Sequence, residues 1–236
     1  MINLIVGGIE ISAEKKQIKN MYIRVVPPDG KVKITVPMSA TEAAIRMFAL
    51  SRIAWIKKQR QKFVEQPRQA ERKYVTGEGY YLWGKRYLLD VVYNNMRNDV
   101  SISGQRIILQ VRKDSTPQQR ANVLDNWYRE MLREAIPPAL EKCEKIVGVK
   151  AKEWQIKNMR TRWGTCNIKE KRIWLNLQLA KKAPKCLEYV IIHELVHLLE
   201  KSHNNIFKGY MDRFYSNWRT VKANLNNQML DHKESL

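Results

Sequence analysis

The stretch HELVHLLEKSHNNIF, residues 193–207, concentrates three of the chain's four histidines in eleven positions. His193 and His197 stand four residues apart, which on a helix separates them by about 40 degrees around the axis and about 6 Å along it. Two imidazoles in that arrangement can share one cation. Glu194 follows the first histidine directly, so its carboxylate is placed beside the cation, where it can take a proton from a water that the metal activates.

His203 can join this pair only if the chain changes direction. On an uninterrupted helix it would lie roughly 240 degrees away from His197. Ser202 and Asn204 flank it, and Ser and Asn are residue types that end helices or cap new ones. We therefore expect a tight turn that brings His203 to the metal. The predicted site holds one zinc ion per chain with three neutral imidazoles and keeps a fourth position open for water.

Two other interpretations of the histidines compete with this one. Core histidines could share the spacing by coincidence, but the rest of the helix is apolar, and buried imidazoles need partners such as a metal. A structural zinc would need a fourth protein ligand, which Cys166 could supply, whereas Cys186 lies about 10 Å away along the same helix. Since a general-base carboxylate has no purpose in a closed site, Glu194 favours a catalytic metal.

Residues 1–115 are predicted to form a β-rich N-terminal region. Alternating apolar residues predict an antiparallel meander over residues 1–37, with a turn at PPDG, residues 27–30. Two further hairpins are expected around Gly84 and Gly104.

One helix is expected within this region. It covers residues 43–66, starts after a Ser39 or Thr41 cap and ends at Pro67. Apolar residues recur along it at helical spacing, and a Lys/Arg face extends towards Lys73 with Trp55 nearby. This basic helix is the sequence feature that most favours nucleic-acid binding.

Residues 116–236 are predicted to form a second domain, and the chain as a whole an α+β fold. A long helix starts near Thr116 and is interrupted or kinked at Pro137-Pro138. We expect no internal repeat and a fraying C-terminal tail. A β-ribbon is predicted next, with strands at residues 153–159 and 172–180. It is followed by the helix with the histidine pair, residues 183–202, then a turn and a last helix, residues 205–227.

Composition narrows the functional classes. The formal charge of +20 is spread over both halves of the chain, and it would attract polyanions without giving specificity. No run approaches the roughly 18 apolar residues of a membrane span, and the N-terminus lacks the basic lead-in of a signal peptide. Three cysteines, odd in number, fit a reducing compartment. We expect a cytoplasmic protein with no membrane partner, whose basic surface allows weak, non-specific nucleic-acid binding.

Several segments resemble the YgjP-like family of predicted bacterial metal-dependent hydrolases, relatives of the SprT-like zinc peptidases. NMRTRWGTCN, residues 158–167, is similar to the family's R-W-G-S-C stretch, with Thr165 for the usual serine. Residues 173–207 follow its metal region, and residues 21–37 and 83–89 resemble its N-terminal half. Lys208 and Ser216 depart from the pattern.

The resemblance implies a zincin-like minimal metallopeptidase domain over residues 116–236, with zinc held by His193, His197 and His203 and with Glu194 as catalytic base. The metzincin class is not assigned, because Glu200 replaces its turn glycine. Substrates are not implied beyond a protein or peptide.

From these residues we predict hydrolysis of a peptide bond. RIWLNLQL, residues 172–179, is the expected edge strand that aligns an extended substrate, and Asn176 on it either binds the substrate backbone or is an ordinary strand asparagine. Arg162 either stabilises the oxyanion or forms a surface salt bridge. Other candidate donors are Arg160, Tyr189, Tyr210 and Tyr215. The competing functions are a basic nucleic-acid-associated protein, or one that cleaves DNA-bound proteins, and a zinc hydrolase of a non-peptide amide or ester.

Overall fold

The computed structural model describes residues 2–26, 30–65, 72–94, 97–159 and 161–227, without the side chains of residues 62–65 and 227. It has an α+β fold, as predicted. Some predicted features lie outside the described residues. They are most of the turn at residues 27–30, the helix end at Pro67, the basic side chains between residues 62 and 71, the candidate donor Arg160, and nearly all of the C-terminal tail.

The first sheet consists of two hairpins that pair through their second strands. Its strands are β1 (Ile2–Val6), β2 (Ile9–Lys16), β3 (Tyr22–Val26) and β4 (Lys31–Pro37). The order is β1-β2-β4-β3, and β2 runs parallel to β4. The predicted antiparallel meander is therefore wrong, since a meander would place β3 beside β2. Both inner strands bury a full set of alternate apolar residues, whereas β3 is only partly buried and takes an edge.

Two helices, α1 (Glu42–Ser51) and α2 (Ile53–Glu65), cover one face of this sheet. Thr41 caps α1 by accepting a hydrogen bond from the backbone N–H of Ala44. One helix is predicted here and two are found, because Arg52 leaves helical geometry at φ −112°. The shared core contains Leu4, Ile11, Val32, Ile34, Ile45, Ala49 and Ile56.

The second sheet repeats the topology of the first. Its strands are β5 (Gly79–Leu82), β6 (Lys85–Tyr93), β7 (Asp99–Ser103) and β8 (Arg106–Val111). The order is β5-β6-β8-β7, with β6 parallel to β8 and both outer pairs antiparallel. The sequence shows no repeat, yet each sheet is two hairpins joined through their second strands and followed by a helix.

The long helix α3 (Pro117–Val147) follows the second sheet. Thr116 and Gln119 form a capping box at its start, and Gly148 ends it in the left-handed region at φ 80°. The helix continues through both Pro137 and Pro138, so the interruption predicted there is absent. Ile136 and Leu140 stay buried on either side of them.

A three-stranded sheet and three helices complete the chain. Strands β9 (Glu153–Lys157), β10 (Gly164–Asn167) and β11 (Arg172–Asn176) have the order β10-β11-β9. A short 3-10 helix leads to α4 (Pro184–Val196), which is followed by α5 (Asn205–Phe214) and α6 (Trp218–Asn227). A single last helix is predicted and two are found. Tyr215 leaves helical geometry, and the Asp212 carboxylate accepts hydrogen bonds from the Trp218 and Arg219 side chains across the turn.

The chain divides into two compact units, Met1–Ala70 and Glu71–Leu236. This division differs from the predicted boundary between residues 115 and 116. The second sheet belongs with the later helices because the Trp83 backbone N–H donates to the Ala180 carbonyl at 2.8 Å and Leu82 lies in the core that contains α4. The described helices include none with the length and apolar character needed to cross a membrane.

Candidate metal centre

Three imidazoles converge in the second unit. The ring of His193 lies 5.0 Å from that of His197 and 4.9 Å from that of His203, centroid to centroid. Nε2 of His193 and Nε2 of His203 are 3.0 Å apart. One ligand atom from each of the three histidines lies within 4.8 Å of the other two. The structure thus brings together the three residues that the sequence predicts as metal ligands.

A turn directly after α4 brings His203 back to the pair. α4 ends at Val196 with His197 as its C-cap, and the Glu200 backbone N–H still donates to the Val196 carbonyl at 2.9 Å. The chain then bends, and the Asn204 side chain caps α5 by accepting from the Phe207 backbone N–H at 3.0 Å. His203 is positioned immediately before this cap, as the Ser and Asn residues around it predict.

A buried aromatic ring supports the histidines. Phe207 is 2 % exposed, and its ring centroid lies 4.7 Å from those of His197 and His203 and 4.9 Å from that of His193. Phe207 was not predicted to contact the histidines. Its position four residues after His203, at the start of a helix, is the only local signal that could have indicated the contact.

The protonation states suit metal binding. Burial lowers the pKa of His193 to about 3, with further contributions from His197 and His203. Burial also lowers the pKa values of His197 and His203. His197 Nδ1 lies 3.2 Å from the Glu200 carbonyl oxygen, which can only accept, so Nδ1 carries the proton and Nε2 keeps its lone pair. Neutral imidazoles with free nitrogen lone pairs are the form that binds metals.

Glu194 is 4 % exposed and lies beside the histidines on α4. Burial raises the pKa of its carboxyl group to about 8, while the nearby Arg162 guanidinium acts in the opposite direction. A cation held by the histidines would also favour the carboxylate form. The side chain is thus placed to exchange protons next to the metal position, in keeping with its predicted role.

The backbone of β10 touches Glu194 directly at Gly164. A Cβ built on Gly164 would lie 2.6 Å from Glu194 Oε1, 2.8 Å from Glu194 Cγ and 2.8 Å from Val190 Cγ1. Any larger residue would displace the carboxylate or the strand. Gly164 was noted only as part of a motif. A glycine inside a strand signals close backbone approach, so the sequence did carry this information.

β11 is not the edge strand that was predicted to align a substrate. It lies between β10 and β9, pairing antiparallel with the first and parallel with the second. β10 is the outer strand on the side that contacts α4. The sequence could not distinguish these strands, because pairing order depends on contacts between distant residues.

Asn176 is fully buried and does not face a substrate. Its side-chain N–H groups donate to the carbonyls of Met159 at 2.8 Å and Arg162 at 2.6 Å, and its oxygen accepts from the Gln178 backbone N–H at 3.1 Å. The prediction that Asn176 binds substrate backbone is therefore wrong for this conformation. Asn176 instead anchors the segment that leads into β10.

The other candidate residues differ in their access to the site. Arg162 is exposed and forms no salt bridge with any described carboxylate, and its interaction with Glu194 shows that it lies near the base. Tyr189 is buried, with its ring 5.8 Å from that of His193 and its pKa raised by burial to about 12. Tyr215 donates to the Lys185 carbonyl, and Tyr210 stacks on Phe214.

The donor set fits an open metal site. Among the described residues the ligand cluster contains three histidines and no cysteine or carboxylate. Cys166 is outside it, and burial raises the pKa of its thiol to about 11. Three neutral nitrogen ligands with no fourth protein ligand are the pattern of catalytic rather than structural zinc.

Comparisons with known proteins agree with this chemistry. The model of the YgjP-like metallopeptidase domain matches residues 19–228. Solved structures similar to this chain include two metallopeptidase zymogens: abylysin of Pyrococcus abyssi, 17 % identical with a TM-score of 0.37, and jannalysin of Methanocaldococcus jannaschii, 19 % identical with a TM-score of 0.35. They match 40 % and 39 % of this chain and 99 % and 94 % of their own. No curated protein matches the chain.

The match to this family model places the protein among the metallopeptidases. Because the family model covers most of the sequence, the chain belongs to the YgjP-like metallopeptidase family. The predicted family resemblance is confirmed.

Proposed function

We propose that this metallopeptidase binds one zinc ion through His193, His197 and His203 and hydrolyses peptide bonds with Glu194 as general base. The observation that carries the proposal is the convergence of three neutral imidazoles beside a buried carboxylate, with no fourth protein ligand among the described residues. When bound, zinc supplies Lewis-acid chemistry: it polarises the scissile carbonyl and lowers the pKa of a water molecule towards about 7.

Glu194 moves the protons in this reaction. Its carboxylate accepts a proton from the attacking water and returns it to the nitrogen of the leaving amine. The site holds Glu194 in place from two sides, because α4 fixes its backbone and Gly164 contacts its side chain. Low exposure strengthens its interactions with the reacting groups, since little water screens them.

The free edge of β10 is the best candidate for aligning an extended peptide. A peptide adding to this edge would run past Gly164, whose backbone already touches Glu194. Arg162 lies two residues before this strand, and its exposed guanidinium is available to stabilise negative charge on the carbonyl oxygen. Arg162 thus keeps its predicted role of stabilising the oxyanion. The strand that aligns the substrate is β10, whereas β11 was predicted from the sequence.

The test compares the wild type with Glu194→Gln and with Glu170→Gln, a matched control in an exposed turn. Zinc content is measured by elemental analysis and cleavage is measured with casein. We expect stoichiometric zinc in all three proteins, with cleavage by the wild type and Glu170→Gln only. Equal cleavage by Glu194→Gln would remove that residue as the base. A zinc-loaded wild type that leaves casein and a peptide library intact would contradict the peptidase reaction.

A further inference from the structure

Helices α1 and α2, in the first unit, contain many more cations than carboxylates. Between Glu42 and Glu65 the sequence has six Lys and Arg residues and no carboxylate, namely Arg46, Arg52, Lys57, Lys58, Arg60 and Lys62. Such a run on an ordinary solvated helix is usually balanced by acidic residues at neighbouring positions. Here no acidic residue stands between Arg46 and Lys62, a stretch of about five helical turns.

Three of these cations have no partner among the described residues. Arg46 is held by Glu42, with its Nη2 at 2.9 Å from the carboxylate, and Arg60 is half-buried against Gly30. Arg52, Lys57 and Lys58 are exposed and form no ion pair with a described carboxylate. Mutual repulsion of these charges costs free energy that an anionic partner would recover.

An exposed tryptophan lies among them. Trp55 is 42 % exposed, although tryptophan side chains are highly buried on average. Arg52 stands three residues before it and Lys58 three residues after it, which places them on the same side of the helix. The Ile56 backbone N–H donates to the Arg52 carbonyl at 2.9 Å, so this helical turn includes Arg52.

The cations and the aromatic ring lie close together, and this combination indicates which kind of anionic partner fits the surface. A helix that lies in a membrane surface needs a separate apolar face to insert. Among the described side chains of α2, Ile53 and Ile56 pack on the sheet of the same unit, which leaves Trp55 as the one large apolar side chain exposed beside the cations. An acidic polypeptide would use the cations without using the ring. Single-stranded nucleic acid offers phosphates for the cations and unpaired bases that stack on an aromatic face.

We propose that this outer face, defined by Arg52, Trp55, Lys57 and Lys58, binds single-stranded nucleic acid. The cations contact phosphates and the Trp55 ring stacks on one base, so binding is largely independent of sequence. The inference goes beyond the peptidase reaction and does not depend on it, because the four residues belong to the first unit and the metal ligands to the second.

The test uses the full chain and a fluorescein-labelled 20-nucleotide oligothymidylate, with binding followed by anisotropy over a range of salt concentrations. A duplex of the same length, phosphatidylserine vesicles and polyglutamate serve as competitors. The variants are Trp55→Ala, Trp55→Phe and the triple variant R52Q/K57Q/K58Q. The matched control K113Q/K150Q/K169Q removes the same charge from exposed lysines of the second unit.

We expect Trp55→Ala to weaken single-strand binding roughly tenfold or more with little effect on the duplex, and Trp55→Phe to restore most of it. The triple variant should reduce the salt dependence of log K by about 2, since each phosphate contact in single strands contributes about 0.7. Equal losses in the triple variant and its control would show non-specific attraction and overturn the proposal. Displacement by vesicles or polyglutamate but not by unlabelled oligothymidylate would overturn it in favour of that partner, and no binding at low salt would overturn it outright.

Discussion

Replacing Gly164 with alanine should impair the general base while leaving the metal ligands in place. Gly164 does not have positive φ, so alanine adds no backbone strain and acts only through its new methyl group. That carbon would lie 2.6–2.8 Å from two atoms of Glu194 and one of Val190. Carbon atoms in contact prefer about 3.5–4.0 Å, so the carboxylate or the strand must move by about 1 Å.

The magnitude follows from that displacement. A misplacement of about 1 Å can cost on the order of 100-fold in rate. The overpacked contact should also lower the free energy of unfolding by about 1–3 kcal/mol. Because the three histidines are unchanged and the new methyl group meets the Glu194 side chain, we expect the loss mainly in kcat.

The assay measures kcat and KM for casein-derived peptides, zinc content, and urea unfolding. Gly209→Ala is the matched control, because Gly209 lies in the nearby helix α5 and a Cβ there meets nothing within 4 Å. That variant should keep full activity and gain up to about 1 kcal/mol, since alanine favours helices over glycine. Wild-type kcat in a folded Gly164→Ala protein would refute the reasoning, and so would a loss of activity explained entirely by lost zinc.

Three further predictions concern other parts of the second unit. His203→Ala should weaken zinc affinity at least about 100-fold, measured by competition with a chelator. Loss of a group that only hydrogen-bonds to a metal ligand can already cost about that much, and loss of a ligand costs more. Unchanged affinity would remove His203 from the site. Asn176→Ala should lower the free energy of unfolding by about 2–4 kcal/mol in urea, since it removes the buried amide that donates to the carbonyls of Met159 and Arg162. A change below about 0.5 kcal/mol would contradict the anchoring role. Native thiols should alkylate slowly at pH 8 and faster as pH rises, because burial raises the pKa of Cys143 to about 12 and that of Cys166 to about 11; rapid labelling in the folded protein, compared with the urea-unfolded chain, would refute this.

Local spacing allowed much of the site to be predicted. The interval of four residues fixes His193 and His197 on one helical face whatever surrounds them, and Glu194 follows from its neighbour. The need for a turn before His203 came from the same geometry, and Asn204 provides the cap that makes it. These features depend on dihedral angles and hydrogen bonds within a few residues, which a sequence specifies directly.

Contacts between distant segments were not predicted correctly. Asn176 was predicted either to bind a substrate or to be an ordinary strand asparagine, and it is buried against the segment before β10. β11 was predicted to be an edge strand and is central in its sheet. The strand pattern shows which residues alternate but not which strand lies beside which. That choice depends on the burial gained when whole strands pair, and no short window contains it.

The sequence by itself thus determined which three histidines come together, which carboxylate lies beside them and the α+β composition, because each rests on short-range periodicity and residue chemistry. Only the tertiary structure decided that Gly164, thirty residues before Glu194, presses its backbone against that side chain, that Phe207 supports all three imidazoles, and that both four-stranded sheets share one topology. The physical reason is that close packing selects one arrangement of distant segments from many that the same local pattern permits.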